Sequence, residues 1–347
     1  MVTQETPVVG GPLPRGKKRM PKRRRNALIV LGSVLALLAI AAGVVLALAA
    51  ASYNSIQRLD MIDPNLSRPP AYEGADAPLN VLLLGSDSRI ALDANASADE
   101  LTGFRSDTIM VAQISGDRQD VTFMSIMRDN WVEIPGHGEA KINAAVAFGG
   151  IPLAVNTIEN FIGARIDHVA LVDFESFQGL TDALGGVTVN NEIAFGADNG
   201  RFQFPEGEIT LHGEEALWFV RERYAFSDGD YQRAKNQQVF LKGLLKEMLS
   251  KDTLTNPATI ASTLNAVSPY LILDSGLDLG TAGTIGYELR GVRSGDIAFF
   301  TSPTLGTGTS ADGQSIVLPD WAEIENVREA FTEGTLRAYY LDQQEAS

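Results

Sequence analysis

Within the stretch RERYAFSDGDYQRAKNQQ, Arg221, Arg223, Arg233 and Gln237 bring three guanidinium groups and a carboxamide into 17 residues of a chain whose formal net charge is −15. Arginines repel one another, so such a gathering points to an anion held among them. The planar fork of guanidinium donors matches phosphate oxygens two at a time. A helix laced with ion pairs is the alternative, since Glu222, Asp228 and Asp230 lie close by. On a helix predicted from residue 230, Asp230, Arg233 and Gln237 share one face at i, i+3 and i+7. Arg221 and Arg223 stand just before the intervening loop, from where they can converge on the same point.

Other candidates stand at predicted strand ends. Asp87, in GSDSR, follows the apolar run LNVLLLG, and ligand-binding residues of open α/β sheets concentrate at such carboxyl ends. Asp107, in RSDT, opens the next strand, with Arg105 two residues ahead. Two carboxylates at adjacent strand ends could share magnesium, which takes one or two carboxylates plus substrate phosphates; each could equally form a turn or cap. Arg128 follows FMSIM and is either a loop residue paired with Asp129 or a ligand clamp. Lys141, in AKINAA, precedes a helix for which Asn143 is the expected N-cap, and a solvated lysine is an equal reading.

The elements that must position these residues alternate in type. Strands are predicted at 79–85, 108–115, 120–127 and 168–174, followed by VTVNN after a Gly-Gly stop at 185–186. Helical spacing covers 143–162, broken by Gly149, Gly150 and Pro152 into two pieces. It recurs over 175–184, 213–220 and 230–250, with further helices at 256–267 and 277–290. Strands at 296–301 and 314–319 precede a closing helix, 320–333, and residues 91–104 read as an exposed loop. This alternation predicts an α/β fold in which helices cover both faces of a central sheet.

Composition narrows the chemistry. There is no cysteine and only three histidines, His137, His168 and His212, without HExxH spacing. Thiolate chemistry, cysteine-ligated zinc and a Ser–His–Asp arrangement are therefore not expected. Residues 1–25 carry eight basic residues against Glu5, which leaves the remaining chain at a net charge of −22. So acidic a body is a poor nucleic-acid binder. Next comes ALIVLGSVLALLAIAAGVVLALAAA, free of charge over 27–51 and long enough to span a bilayer as a helix. That run exceeds a signal peptide's apolar core, so an uncleaved signal anchor over 26–51 is expected. The basic side stays in the cytoplasm and the rest lies outside. A juxtamembrane linker is expected over 52–78, where Pro64, Pro69, Pro70 and Pro78 fall.

Taken in order, LLLGSDSR, RSDT, SIMRDN, KINAA, GEEALWFVRERY and DYQRAKNQQ resemble the LytR–CpsA–Psr family over about residues 79–250. The resemblance implies a single extracellular α/β/α domain (79–340, motif core 79–250) with a central mixed β-sheet flanked by helices. One transmembrane helix would precede it. It implies a membrane-anchored phosphotransferase that moves a glycopolymer from a polyprenyl-pyrophosphate carrier onto peptidoglycan. Its metal ligands, for magnesium with manganese as the alternative, map onto Asp87 and Asp107. Its catalytic set maps onto Arg105, Asp107, Arg128, Arg221 and Arg223. The substrate-binding set maps onto Asp87, Arg105, Arg128, Lys141, Arg221, Arg223, Asp230, Arg233 and Gln237. The carrier's isoprenoid tail calls for an apolar groove, expected from helices 143–162 and 231–249.

The chain departs from the family pattern at Met127, where proline is usual before the arginine, and at Tyr224, where histidine is common. The 91–104 loop is longer than the minimal pattern, and residues 251–347 are expected to complete the same α/β body. A lipid pyrophosphatase is the nearest alternative. A non-catalytic envelope regulator, the family's older description as transcription attenuators, is the more distant one. Expected partners are the lipid-linked glycopolymer, peptidoglycan and the cytoplasmic membrane, with no nucleic acid.

Overall fold

Strands β1 (Gln57–Leu59), β2 (Leu79–Ser86), β3 (Ser106–Ile114), β4 (Val121–Ser125), β7 (His168–Asp173), β12 (Ile272–Asp274) and β13 (Ile297–Thr301) form one seven-stranded sheet. Their order is β1-β12-β7-β2-β3-β4-β13, with parallel pairing at β1·β12, β2·β7 and β4·β13 and antiparallel pairing elsewhere. This computed structural model describes residues 47, 49–72, 74, 76–86, 106–248 and 257–346. They belong to the compact unit Leu46–Ser347. The expected anchor over 26–51 lies almost wholly outside them, as do Asp87, Arg105 and the 91–104 loop.

Alternation along the strands builds the layers. Leu82, Leu84, Ile109, Val111 and Met124 face α1 (Ala144–Ile162) and α7 (Trp321–Glu333), which contribute Ile151, Val155, Ile158, Phe161, Val327 and Phe331. Val81, Leu83, Ala112, Ile114 and Phe123 face the other way. There they meet Leu241 and Leu245 of α4 (Asp230–Met248) and Ile285 of α6 (Leu279–Glu288). The predicted mixed α/β architecture, with helices over both faces of a central sheet, is what forms.

Helix α1 is interrupted where the sequence demanded it. Gly150 adopts φ 69°, a left-handed backbone open to glycine, and Gly149 is also non-helical. Among the described residues α1 is the one helix long and apolar enough to cross a membrane, yet most of its side chains are buried in the core. Asn143 stands at its N-cap but makes no capping hydrogen bond, contrary to expectation, because its backbone is already in the helical region.

Small hairpins complete the molecule: β5 (Trp131–Ile134) with β6 (Gly138–Lys141), β8 (Val187–Asn191) with β11 (Gly207–Leu211), β9 (Phe195–Ala197) with β10 (Phe202–Phe204), and β14 (Thr304–Thr309) with β15 (Ser315–Pro319). VTVNN is thus a strand, but of an annex and not of the central sheet. The annex packs Val187, Val189, Phe195, Phe204 and Leu211 on α3 (Gly213–Arg221) and α4. Helices α2 (Phe174–Ala183), α5 (Pro257–Val267) and α8 (Leu336–Ala346) fill the remaining surface.

Part of the stretch expected as a linker is built into the fold. Gln57–Leu59 is an edge strand, Met61 is wholly buried, and Arg68 joins Glu159 of α1 through Nε at 2.9 and 3.0 Å. Pro64, Pro69, Pro70 and Pro78 made the residues after that strand read locally as an extended connection.

Candidate functional site

Antiparallel register makes the first contact of the site. Met110 pairs with Ser125 and the Ile126 amide donates to Ile109 O at 2.8 Å, so continuing the ladder sets Asp107 opposite Arg128. Arg128 Nη1 is indeed ion-paired with Asp107 Oδ1. Behind Arg128, Met127 packs with Ala234 of α4 and Val317 of β15, fixing where the strand end turns. Arg128 therefore stands just past a strand end, paired across the register with Asp107. Its contact with Asp129, 3.9 Å from Nε, is loose.

Helix α4 supplies the opposing wall. Asp230 Oδ1 lies 2.9 Å from Arg233 Nη2, 3.6 Å from Arg223 Nη1 and 4.0 Å from Arg128 Nη2. One carboxylate oxygen thus sits at the hub of three guanidinium groups, yet none of these contacts has hydrogen-bond alignment. Lys141 Nζ joins from the β5–β6 hairpin through Asp129 Oδ1 at 3.1 Å. Among the described residues four cations here face three carboxylates, Asp107, Asp129 and Asp230. Burial, then the neighbouring Arg128 charge, pushes the Arg233 guanidinium below its ordinary value, while Asp230 opposes that shift. An added anion would relieve the crowding.

Arg221 and Arg223 come from the exit of α3. Arg221 closes that helix, with its guanidinium carbon 5.8 Å from the Trp218 ring centre. Gln237 Nε2 donates to Val220 O at 3.3 Å, so part of its role is to hold the same helix end. A residue that sequence reasoning took only as a charge partner proves central. Glu222, 6% exposed, accepts from the backbone amides of Arg223, Tyr224 and Ala225 through Oε1 at 2.9, 2.7 and 3.1 Å. It satisfies the donors of the turn that aims both arginines, and its position between them was the one available signal.

These groups crown a cavity of about 490 Å³. Asp107, Arg128, Arg221, Arg223, Arg233 and Gln237 line its polar end. Leu83, Met110, Ala170 and Val172 from the sheet, Phe177 and Leu180 from α2, Leu217 from α3, and Phe240, Leu241 and Leu244 from α4 line the rest. The groove expected from helices 143–162 and 231–249 is therefore half corrected. The second helix lines it; the first packs on the opposite face of the sheet. Periodicity identifies an apolar helix but not the sheet face it covers.

Of the residues singled out by sequence, Asp107, Arg128, Arg221, Arg223, Asp230, Arg233 and Gln237 come together, with Lys141 attached through Asp129. Asp87 and Arg105 lie outside the described residues. Among the described residues no three His, Asp or Glu side chains group in a way that could hold a metal by themselves.

Known proteins share this architecture and its sequence. The LytR_cpsA_psr family model matches residues 47–333. A polyisoprenyl-teichoic acid–peptidoglycan teichoic acid transferase TagU of Enterococcus faecalis is 32% identical over 279 residues, covering 80% of this chain and 84% of the relative. Its namesake in Halalkalibacterium halodurans is 34% identical over 265 residues, covering 73% and 82%. Among solved structures, B. subtilis TagV superimposes with a TM-score of 0.62 at 26% identity, over 74% of this chain and 97% of that one. TagT bound to LI-WTA gives a TM-score of 0.60 at 22% identity, over 79% and 98%, a likeness of fold alone.

Proposed function

We propose, from the premise that this chain belongs to the LytR_cpsA_psr family, that it transfers a glycopolymer from a polyprenyl-pyrophosphate carrier to peptidoglycan during cell-wall assembly. The observation that carries the reading is one cavity with two chemistries, a cluster of guanidinium groups and an apolar lining from the sheet and helices α2, α3 and α4. A pyrophosphate esterified to an isoprenoid has the same two parts. The curated relatives named as teichoic acid transferases supply the reaction class.

In this reading Arg128, Arg221, Arg223 and Arg233 hold the pyrophosphate oxygens, and Phe177, Phe240 and Leu244 hold the tail. A peptidoglycan hydroxyl attacks the sugar-linked phosphorus. The bond from that phosphorus to the bridging oxygen breaks, polyprenyl phosphate leaves, the hydroxyl proton passes to solvent, and a phosphodiester joins polymer to wall. Negative charge grows on the leaving phosphate and on the transferred oxygens, where fixed guanidinium donors lower the barrier. Arg105 would add to that set and Lys141 would hold Asp129 in place beside Arg128.

The donor chemistry fits a magnesium ion, with manganese as the alternative. Asp107 offers hard carboxylate oxygens at the phosphate end, Asp87 would be its companion, and magnesium takes only one or two protein carboxylates alongside phosphates. When bound, the ion would neutralise phosphate charge. Arg128 now shares Asp107, and an arriving pyrophosphate would draw that guanidinium away.

The basic residues 1–25, the charge-free 27–51 run and the acidic remainder support a single-pass membrane protein with the catalytic domain outside, beside its lipid carrier. Purified full-length protein supplied with peptidoglycan should release polyprenyl phosphate from a glycan-loaded pyrophosphate lipid. Arg221→Ala and Asp107→Ala should each lower that turnover by roughly a hundred- to a thousandfold. Full turnover in both variants would overturn the assignment.

A further inference from the structure

Tyr224 is the most exposed large hydrophobic side chain among the described residues, at 85%, and it lines the guanidinium-rich cavity. Exposed tyrosines need no explanation as a rule, but this one is held. Arg223 Nη2 donates to its phenol oxygen at 2.8 Å, and the Arg223 guanidinium carbon lies 4.7 Å from the ring centre. The Tyr224 amide is in turn fixed by Glu222. One aromatic ring is therefore braced by a clamp arginine while most of its surface stands in solvent.

Such a ring suits one class of group. The face of an aromatic ring is electron-rich, and one face of a pyranose presents weakly positive, apolar C–H bonds with its hydroxyls directed to the rim. The two stack while the hydroxyls keep their water. The proposed donor places a sugar directly on the phosphate that Arg223 would hold, and Tyr224 is the ring in contact with Arg223 at the exposed side of that cavity. We infer that Tyr224 is a stacking platform for the first sugar of the donor, a saccharide subsite continuous with the phosphate clamp. This rests on the donor reading given above. Arg223 serves both parts, with its guanidinium toward phosphate and its contact to the phenol steadying the platform. Tyrosine at this position then selects for donors that carry a sugar over the bare lipid pyrophosphate.

The test compares two probes on the full-length protein by calorimetric titration: farnesyl pyrophosphate, and the same lipid capped with N-acetylglucosamine. Wild type should prefer the capped lipid. Tyr224→Ala should cut that preference by roughly tenfold, the size of one well-placed aromatic contact. Tyr224→Phe, which keeps the ring and its stacking contact with Arg223 and loses only the phenol hydrogen bond, should keep most of the preference. An unchanged preference in Tyr224→Ala, or an equal loss of both lipids, overturns the platform alone, and so does a Phe variant that fails like Ala. A wild type that binds neither lipid overturns the donor reading and the platform with it.

Discussion

Arg68 and Arg128 each meet a carboxylate from a distant part of the chain, and the two meetings are finished differently. Arg68 engages both oxygens of Glu159 and donates from Nη2 to Ile166 O at 2.7 Å, while the Ile166 amide donates to Glu159 Oε1 at 2.9 Å. Glu159 is fully buried and its charge is answered in place. Around Arg128 the account stays open. Among the described residues Arg128 Nε is buried without a hydrogen-bond partner, Asp230 Oδ1 likewise, and cations outnumber carboxylates. A pair that only fastens the fold saturates its donors, whereas a cluster built for a ligand keeps some in reserve.

The sharpest way to break this contrast is to truncate both arginines. Arg68→Ala leaves a buried carboxylate alone and should cost about 3–5 kcal/mol of unfolding free energy. Arg128→Ala should cost no more than about 1 kcal/mol, since its carboxylates keep some solvent contact and one crowded cation is removed. Urea unfolding of the two variants decides it; equal losses would erase the distinction. Glu222 comes next. Glu222→Ala strands three turn amides and lets Arg221 and Arg223 drift, for a turnover loss of roughly a hundredfold. Glu222→Gln keeps an acceptor oxygen and should restore most of that activity, as initial rates on the pyrophosphate lipid will show.

The smallest effect concerns a third carboxylate, Asp167, which accepts from the Asn80 amide at 2.8 Å. Burial pushes its pKa above the ordinary 3.8, against the pull of that amide. The folded state then holds the proton more tightly than the unfolded one, so this group's contribution to stability falls as pH rises from 3.8 through the raised value. Asp167→Asn should raise the melting temperature at pH 7, with the gain shrinking toward pH 4 in a pH series of thermal melts. A gain that does not change with pH would rule out titration as its cause.

Much of this was legible in the chain, and the failures have physical causes. Long apolar runs such as LNVLLLG and the Gly149–Gly150 break announced themselves, because burial and backbone freedom are written in residue type. The Arg128–Asp107 pair could be guessed from two strand ends but needed the register to be drawn. β14, with sequence TLGTGT, escaped notice because its apolar content is slight, and β1 because three residues carry no period. Glu222 was misjudged because its work is done on backbone amides, which every residue type shares. The side of the sheet taken by α1 depended on topology, which periodicity does not contain.

The strand order also bears on how such a chain must come into being. β1 is made before β2 and yet, among the described residues, pairs only with β12, Gln57 against Ile272, while the far edge waits for β13 to dock on β4. A chain emerging N-terminus first can join β2, β3, β4 and β7 early, but the β7 flank of that partial sheet waits for β12 at residues 272–274 and the β4 flank for β13 at residues 297–301. Closing β1 onto β12 means closing the longest loop in the sheet, which folding accepts late and slowly. The growing polypeptide therefore spends most of its synthesis with its first strand idle, exposed to any neighbour that offers an edge.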